Sequence, residues 1–144
     1  MKSLTLCFDP VLIKDLDDIR TFLEQAIALL GGSEDDAGDL VLAVNEAVTN
    51  VILHGYQSTP GIVILGVICD EEDLFVHLMD HAPLFDPTAV PSPDITLPLE
   101  ERPLGGLGVH MMRQLCDELI YQVLPQGGND LIFIKRNALH APDN

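Results

Sequence analysis

The chain predicts an α/β fold of two layers, a sandwich with helices on one face of a mixed, mostly antiparallel sheet. Three observations carry this. Two long stretches repeat their apolar residues at helical spacing, two pairs of strand-like runs flank short turns, and a third helical stretch precedes the last pair. A length of 144 residues suits one domain, and 1–144 is read as one.

The elements follow in order. Residues 3–8, SLTLCF, alternate as a short strand. Asp9-Pro10 reads as the N-cap and first-turn proline of a helix. Its Val11, Leu12, Leu16, Ile19, Leu23, Ile27 and Leu30 share one face, and Gly31-Gly32 stops it. Ser33 with Asp36 opens a second helix in the manner of a capping box, with Asp in place of the usual Glu. That helix carries Leu40, Val41, Val44, Ala47, Val48, Val51 and Ile52 and ends near His54-Gly55. Strands over 62–69 and 74–80 make an antiparallel hairpin around Asp70-Glu71-Glu72-Asp73.

Residues 81–108 hold Pro83, Pro87, Pro91, Pro93, Pro98 and Pro103 and show no period. So long a connection is a functional or disordered segment. A third helix over 109–118 follows, then a closing hairpin of 119–124 and 131–136 around Gln126-Gly127-Gly128-Asn129. The tail, 137–144, is expected to fray.

Composition narrows the function. A hydrophobic content of 47% and a mean hydropathy of +0.26 exclude a disordered chain. The formal net charge is −16, opposite in sign to what a nucleic-acid binder needs to replace phosphate counterions. It also disfavours anionic membrane surfaces, and no apolar run reaches the ~20 residues of a membrane span. Cys7, Cys69 and Cys116 form no CxxC pair. They read as reduced core thiols of a cytoplasmic protein, and the N-terminus has no signal-peptide pattern.

Three segments carry polar groups that could do chemistry. In the second helix, Glu46, Asn50 and His54 are spaced i, i+4, i+8 and form one polar stripe. A carboxamide oxygen suits Mg²⁺, and a nearby carboxylate can deprotonate a hydroxyl; the same stripe also suits an exposed helix face. Next, Asp80 closes an apolar strand, where its acceptors could read an amine edge such as adenine's; Phe85 could anchor the loop that follows. A plain strand end before a proline turn fits equally. Finally, Gly105-Gly106-Leu107-Gly108 precedes a helix at Val109. Glycines admit close backbone approach, and free N–H groups with the positive dipole end bind phosphate; a simple hinge is the alternative. No Lys or Arg lies between Glu24 and Glu101, so a bound triphosphate would need Mg²⁺ and backbone N–H groups for charge compensation.

In this order the three motifs resemble the GHKL (histidine-kinase-like) ATPase superfamily, and within it the small bacterial anti-sigma-factor serine-protein kinases. Glu46-Ala47-Val48-Thr49-Asn50, continuing to His54-Gly55-Tyr56, is similar to that family's N-box. The segment 80–87 is similar to its D-x-G-x-x-F-D-P box. Arg102-Pro103-Leu104-Gly105-Gly106-Leu107-Gly108-Val109-His110, followed by Asp117-Glu118 and Tyr121, is similar to its glycine-rich G2 box. The likeness runs from about Leu4 to Arg136.

The resemblance implies the GHKL ATP-binding sandwich, with ATP and Mg²⁺ as cofactors. It implies that Asn50 coordinates the metal, Glu46 is the general base, and Asp80 and Ala82 lie at the adenine. Gly105, Gly106, Leu107 and Gly108 would wrap the phosphates, with an ATP lid over about 81–108. The activity implied is phosphorylation of a serine on a small anti-anti-sigma protein, in competition with sequestration of a sigma factor or similar regulator, by a homodimer. The alternative is a non-catalytic, nucleotide-dependent interaction module for partner switching. Two departures stand out. Ala82 replaces the usual glycine, and the threonine often found in the last strand is missing from Asp130-Leu131-Ile132-Phe133-Ile134-Lys135.

Overall fold

The computed structural model describes residues 2–90, 96 and 106–139. Five strands form one sheet in the order β1-β2-β3-β5-β4, with every pairing antiparallel. They are β1 (Lys2–Phe8), β2 (Val63–Asp70), β3 (Asp73–Asp80), β4 (Glu118–Val123) and β5 (Asn129–Lys135). The helices are α1 (Leu16–Leu30), α2 (Glu34–Asn50) and α3 (Gly106–Leu115).

Strand periodicity explains the layering. On β3, Leu74, Val76, Leu78 and Asp80 share one face and are buried, whereas Phe75, His77 and Met79 on the other are half-buried. Register continues the buried row through Val63, Leu65 and Val67 on β2 and Leu131 and Phe133 on β5. Ile19, Leu23 and Ile27 of α1 and Leu40, Val44 and Val48 of α2 cover it, all fully buried. Asp80 is therefore the last member of an apolar row in the middle strand.

Ser33 Oγ accepts from Asp36 N at 3.1 Å, so the expected cap of α2 forms. The helix passes beyond Asn50 into a π-helical turn, Val51–Gly55, where Tyr56 N–H reaches back to Val51 O at 2.8 Å. The hairpin of β2 and β3 turns on Glu71-Glu72, as expected.

Several expectations need correction. Asp9-Pro10 does not cap α1. Val11 N–H is held by Gly61 O at 2.9 Å, and a 3-10 turn at Ile13–Asp15 intervenes, with Leu12 N–H donating to Asp15 Oδ2. The third helix begins at Gly106 rather than Val109 and ends at Leu115. β5 begins at Asn129, two residues early, because Asn129 and Asp130 find polar partners across the sheet. The tail does not fray at once. Ala138 and Leu139 are buried, and Leu139 N–H donates to Glu72 O at 3.0 Å; 140–144 lie outside the described residues. Cys7 is no core thiol but exposed, since it points off the open face of edge strand β1; Cys69 is half-buried. Cys116 is buried, and burial pushes its thiol up to about 12.

Phe133 has no solvent exposure and sits in the row beneath the helices. Phe133→Ala should cost about 3–5 kcal/mol, read as a lower urea midpoint at unchanged slope.

Candidate functional site

A cavity of about 460 Å³ opens between the end of β3, the C-terminal part of α2 and the start of α3. That volume is in the range of small-molecule sites. Ala47, Val51, Leu78, Val109, Met112 and Leu131 form apolar walls, and Asn50, His54, Gln57, Asp80, Tyr121 and Asn129 supply the polar groups. No Lys or Arg is among these described lining residues.

Asp80 is 4% exposed. Its Oδ1 accepts from Ala82 N at 2.9 Å and from Asn129 Nδ2 at 2.8 Å. Its Oδ2 has no hydrogen-bond partner among the described residues. Burial raises the carboxyl above its ordinary value, while the bonds from Asn129 and Ala82 and the neighbouring His81 oppose the rise. A carboxylate oxygen that opens onto an apolar cavity is suited to an amine or amide donor on a flat ring.

Ala82 lies on the wall and is buried. Its φ is not in the left-handed region, so the methyl carries no backbone strain in place of the usual glycine. The methyl sits opposite Gly55, where a Cβ would come within 3.0 Å of it. Phe85 is not the anchor expected of it. Its ring is 62% exposed, and its backbone N–H holds the loop by donating to Asn129 Oδ1 at 3.1 Å.

The other end of the site lies between α2 and α3. A Cβ on Gly108 would fall 2.4 Å from Glu46 Oε1. Glycine is poor in a helix interior, so its place in the first turns of α3 reflects this tertiary contact with the carboxylate. Asn50, one turn beyond Glu46, lines the cavity, whereas Glu46 itself does not. His54 reaches the same wall from the π-helical turn. Gly106 and Leu107 belong to the first turn of α3, and Gly105 lies outside the described residues.

Of the proposed lid, 81–90 are described, 91–95 and 97–105 are not. Pro83, Leu84, Phe85, Pro87 and Val90 line the cavity. Asp86 Oδ1 caps the 3-10 turn Pro87–Ala89 by accepting from Thr88 N at 2.8 Å. Arg113 of α3 donates to Val90 O at 3.1 Å and to Thr88 O. At the opposite border Tyr56 OH donates to Ile62 O at 2.6 Å and accepts from His81 N at 2.8 Å.

Asn129 is the cavity residue whose role as a partner of Asp80 the sequence did not disclose; Arg113 and Tyr56, the latter already part of the N-box-like run, hold the loops at its borders. The signal for Asn129 was a polar residue between Gly127-Gly128 and an apolar run. Arg113 and Tyr56 act through backbone carbonyls and amides, which leave no residue pattern.

The family profile described as histidine kinase-like ATPase domain matches residues 10–135. The chain is 28% identical over 121 residues to the serine-protein kinase RsbW of Bacillus cereus (strain G9842), covering 81% of this chain and 74% of the relative. It is 27% identical, with the same coverage, to RsbW of Bacillus mycoides (strain KBAB4). In structure it is similar to the RsbU and RsbW domains of Rv1364c from Mycobacterium tuberculosis, with a TM-score of 0.64 and 19% identity over 94% of this chain. It spans 32% of that longer chain. A chain of the SiaB-SiaC complex from Pseudomonas aeruginosa aligns at TM-score 0.61 and 15% identity, covering 90% of this chain and 88% of that one.

The raised Asp80 carboxyl has a stability consequence. Its contribution is fully present below the ordinary value of 3.8 and is lost as pH rises through the higher native value. Asp80→Asn cannot ionise. In urea unfolding at about pH 3 and about pH 7, the variant should gain on the wild type at the higher pH; the opposite trend would show the carboxylate to be net stabilising.

Proposed function

Because the chain belongs to the histidine kinase-like ATPase domain family, we propose that it is a Mg-ATP-dependent serine/threonine protein kinase working as a partner-switching regulator. The observation that carries this reading is the pairing of two ends of one site. Asp80 turns an open acceptor onto an apolar cavity, and a glycine-packed Glu46 lies one helical turn from Asn50.

The residues fit the nucleotide. Asp80 Oδ2 accepts from the adenine amino group, and the apolar walls enclose the ring. The first turn of α3, from Gly106 through Leu107, offers N–H groups to the phosphates, and Gly105 precedes it in the sequence. Asn50 is the metal ligand, its neutral amide oxygen matching a hard cation. Mg²⁺, when bound, offsets the phosphate charge that the cavity wall, without Lys or Arg among its described residues, leaves uncompensated. Glu46 takes the proton from the acceptor serine as its oxygen bonds to the γ-phosphorus. The bond to the bridging oxygen breaks and ADP leaves. Catalysis rests on positioning and charge stabilisation.

Two relatives named serine-protein kinase support the kinase assignment. The partners proposed are a small anti-anti-sigma protein, phosphorylated on serine, and a sigma factor or similar regulator bound in competition, in the cytoplasm. Among the described residues no helix is long and apolar enough to cross a membrane. A homodimer is also proposed. The sheet face away from the helices carries Ile64, Ile68, Phe75 and Met79, all half-buried in one chain, which a second copy would cover.

The test is phosphate transfer from labelled Mg-ATP to the serine of a purified antagonist. Glu46→Gln should slow transfer about 10²–10⁴-fold while nucleotide still binds. Gly108→Ala, which drives a methyl into the Glu46 carboxylate, should cost about 10²-fold by misplacing it. Equal transfer by wild type and Glu46→Gln removes the general-base assignment. Binding of ATP without any transfer returns the non-catalytic interaction module.

Asn50→Ala addresses the metal separately. In calorimetric titration, wild-type affinity for ATP should rise on adding Mg²⁺ and that of Asn50→Ala should not. The same magnesium dependence in both would place the metal elsewhere.

A further inference from the structure

Asn129 opens β5 directly opposite Asp80 in the register and is 6% exposed. Its Nδ2 donates to Asp80 Oδ1 at 2.8 Å, Ala82 O at 3.2 Å and Pro83 O at 3.3 Å. Its Oδ1 accepts from Phe85 N at 3.1 Å and Tyr121 OH at 2.5 Å. A carboxamide has two N–H donors and two lone pairs, and these bonds use all of them. The amide can take only one orientation. Turned over, its NH₂ would face the Phe85 N–H donor, and its oxygen would face a carboxylate and two carbonyls.

Two consequences follow. With nothing left to offer, Asn129 does not bind ligand directly. By occupying Asp80 Oδ1 together with Ala82 N, it leaves Oδ2 as the sole open acceptor. The same amide ties the loop after β3 at Ala82, Pro83 and Phe85, three residues of the cavity wall. Tyr121 OH is a protonated phenol and donates to Asn129 Oδ1, and burial, with the charges of Asp86 and Asp80, holds it above its ordinary value. Gly128, at φ +108, allows this approach, since a Cβ there would lie 2.5 Å from Asp80 O.

We infer that Asn129 is the specificity-positioning residue of the base site: it fixes Asp80 as a single-acceptor reader and so makes the site select a purine carrying a 6-amino group over one carrying a 6-oxo group. This rests on the nucleotide reading above.

The experiment is calorimetric titration of the full chain with Mg-ATP and Mg-ITP, which differ at the purine 6-position, on wild type, Asn129→Leu and Tyr121→Phe. The wild type should prefer ATP by roughly 10–100-fold, the worth of one hydrogen bond to a charged acceptor. Asn129→Leu should lose most of that ratio through weaker ATP binding, while ITP affinity barely changes. If this variant fails to fold, Tyr121→Phe, which withdraws one bond, carries the decision and should lower the ratio about two- to fivefold. Equal weakening of both nucleotides, or an unchanged ratio in the folded variants, overturns the inference while leaving the nucleotide site intact. A wild type that binds neither nucleotide overturns the underlying reading, and this inference with it.

Discussion

A carboxylate buried at the end of the central strand is the constraint on which the rest of the structure turns. Isolated burial of such a charge is costly, so its neighbours must bond it. Asp80 draws in Ala82 from the next turn and Asn129 from β5. Asn129 in turn engages Tyr121 on β4 and Phe85 on the connecting loop. One buried charge thus sets where β5 begins, how its hairpin turns and where the cavity wall runs. The network stops one oxygen short of satisfaction. That oxygen faces the cavity rather than the sealed interior, so it can meet solvent or a ligand there without disturbing the fold.

The second constraint is steric and lies on α2 and α3. Glu46 Oε1 occupies the space that a side chain at Gly108 would fill. The position of the carboxylate therefore depends on a residue with no side chain on another helix. Asp80 and Glu46 are held by different contacts, one a hydrogen-bond network and the other a close packing. On the proposed reading, damage to one should leave the other standing, which would separate affinity from turnover.

Much of the sandwich was legible in the sequence, because its elements obey local rules. The Ser33 cap, the Glu71-Glu72 turn and the apolar stripes of α1 and α2 are fixed by neighbours in the chain. The site motifs were legible as residue types in order, and Asn50, Asp80 and Ala82 do meet at one cavity. What escaped was decided by distant partners. Asn129 and Asp130 look like turn residues until Asp80 and His77 are placed beside them. Asp9-Pro10 looks like a helix start until Gly61 takes the next N–H. Cys7 looks like core until β1 proves to be an edge with one open face.

On the proposed reading, charge is the reason for nucleotide and metal to bind together. Lys135, at the end of β5 remote in register from Asp80, is committed to Asp36 and Asp39 of α2, and the next residue, Arg136, to Asp73 and Glu118. Arg113, in the helix that opens at the glycines, spends its donors on the carbonyls of Thr88 and Val90. A triphosphate entering a chain of net charge −16 would meet repulsion with little fixed cationic help. A divalent ion arriving with it removes most of that cost, and the α3 N-terminus contributes a partial positive charge. Selectivity is then divided along the ligand. The phosphates would be held by terms that any nucleoside triphosphate satisfies, and discrimination would fall to the base end. There a single open acceptor, held in place by a saturated amide, is the least tolerant element of the site.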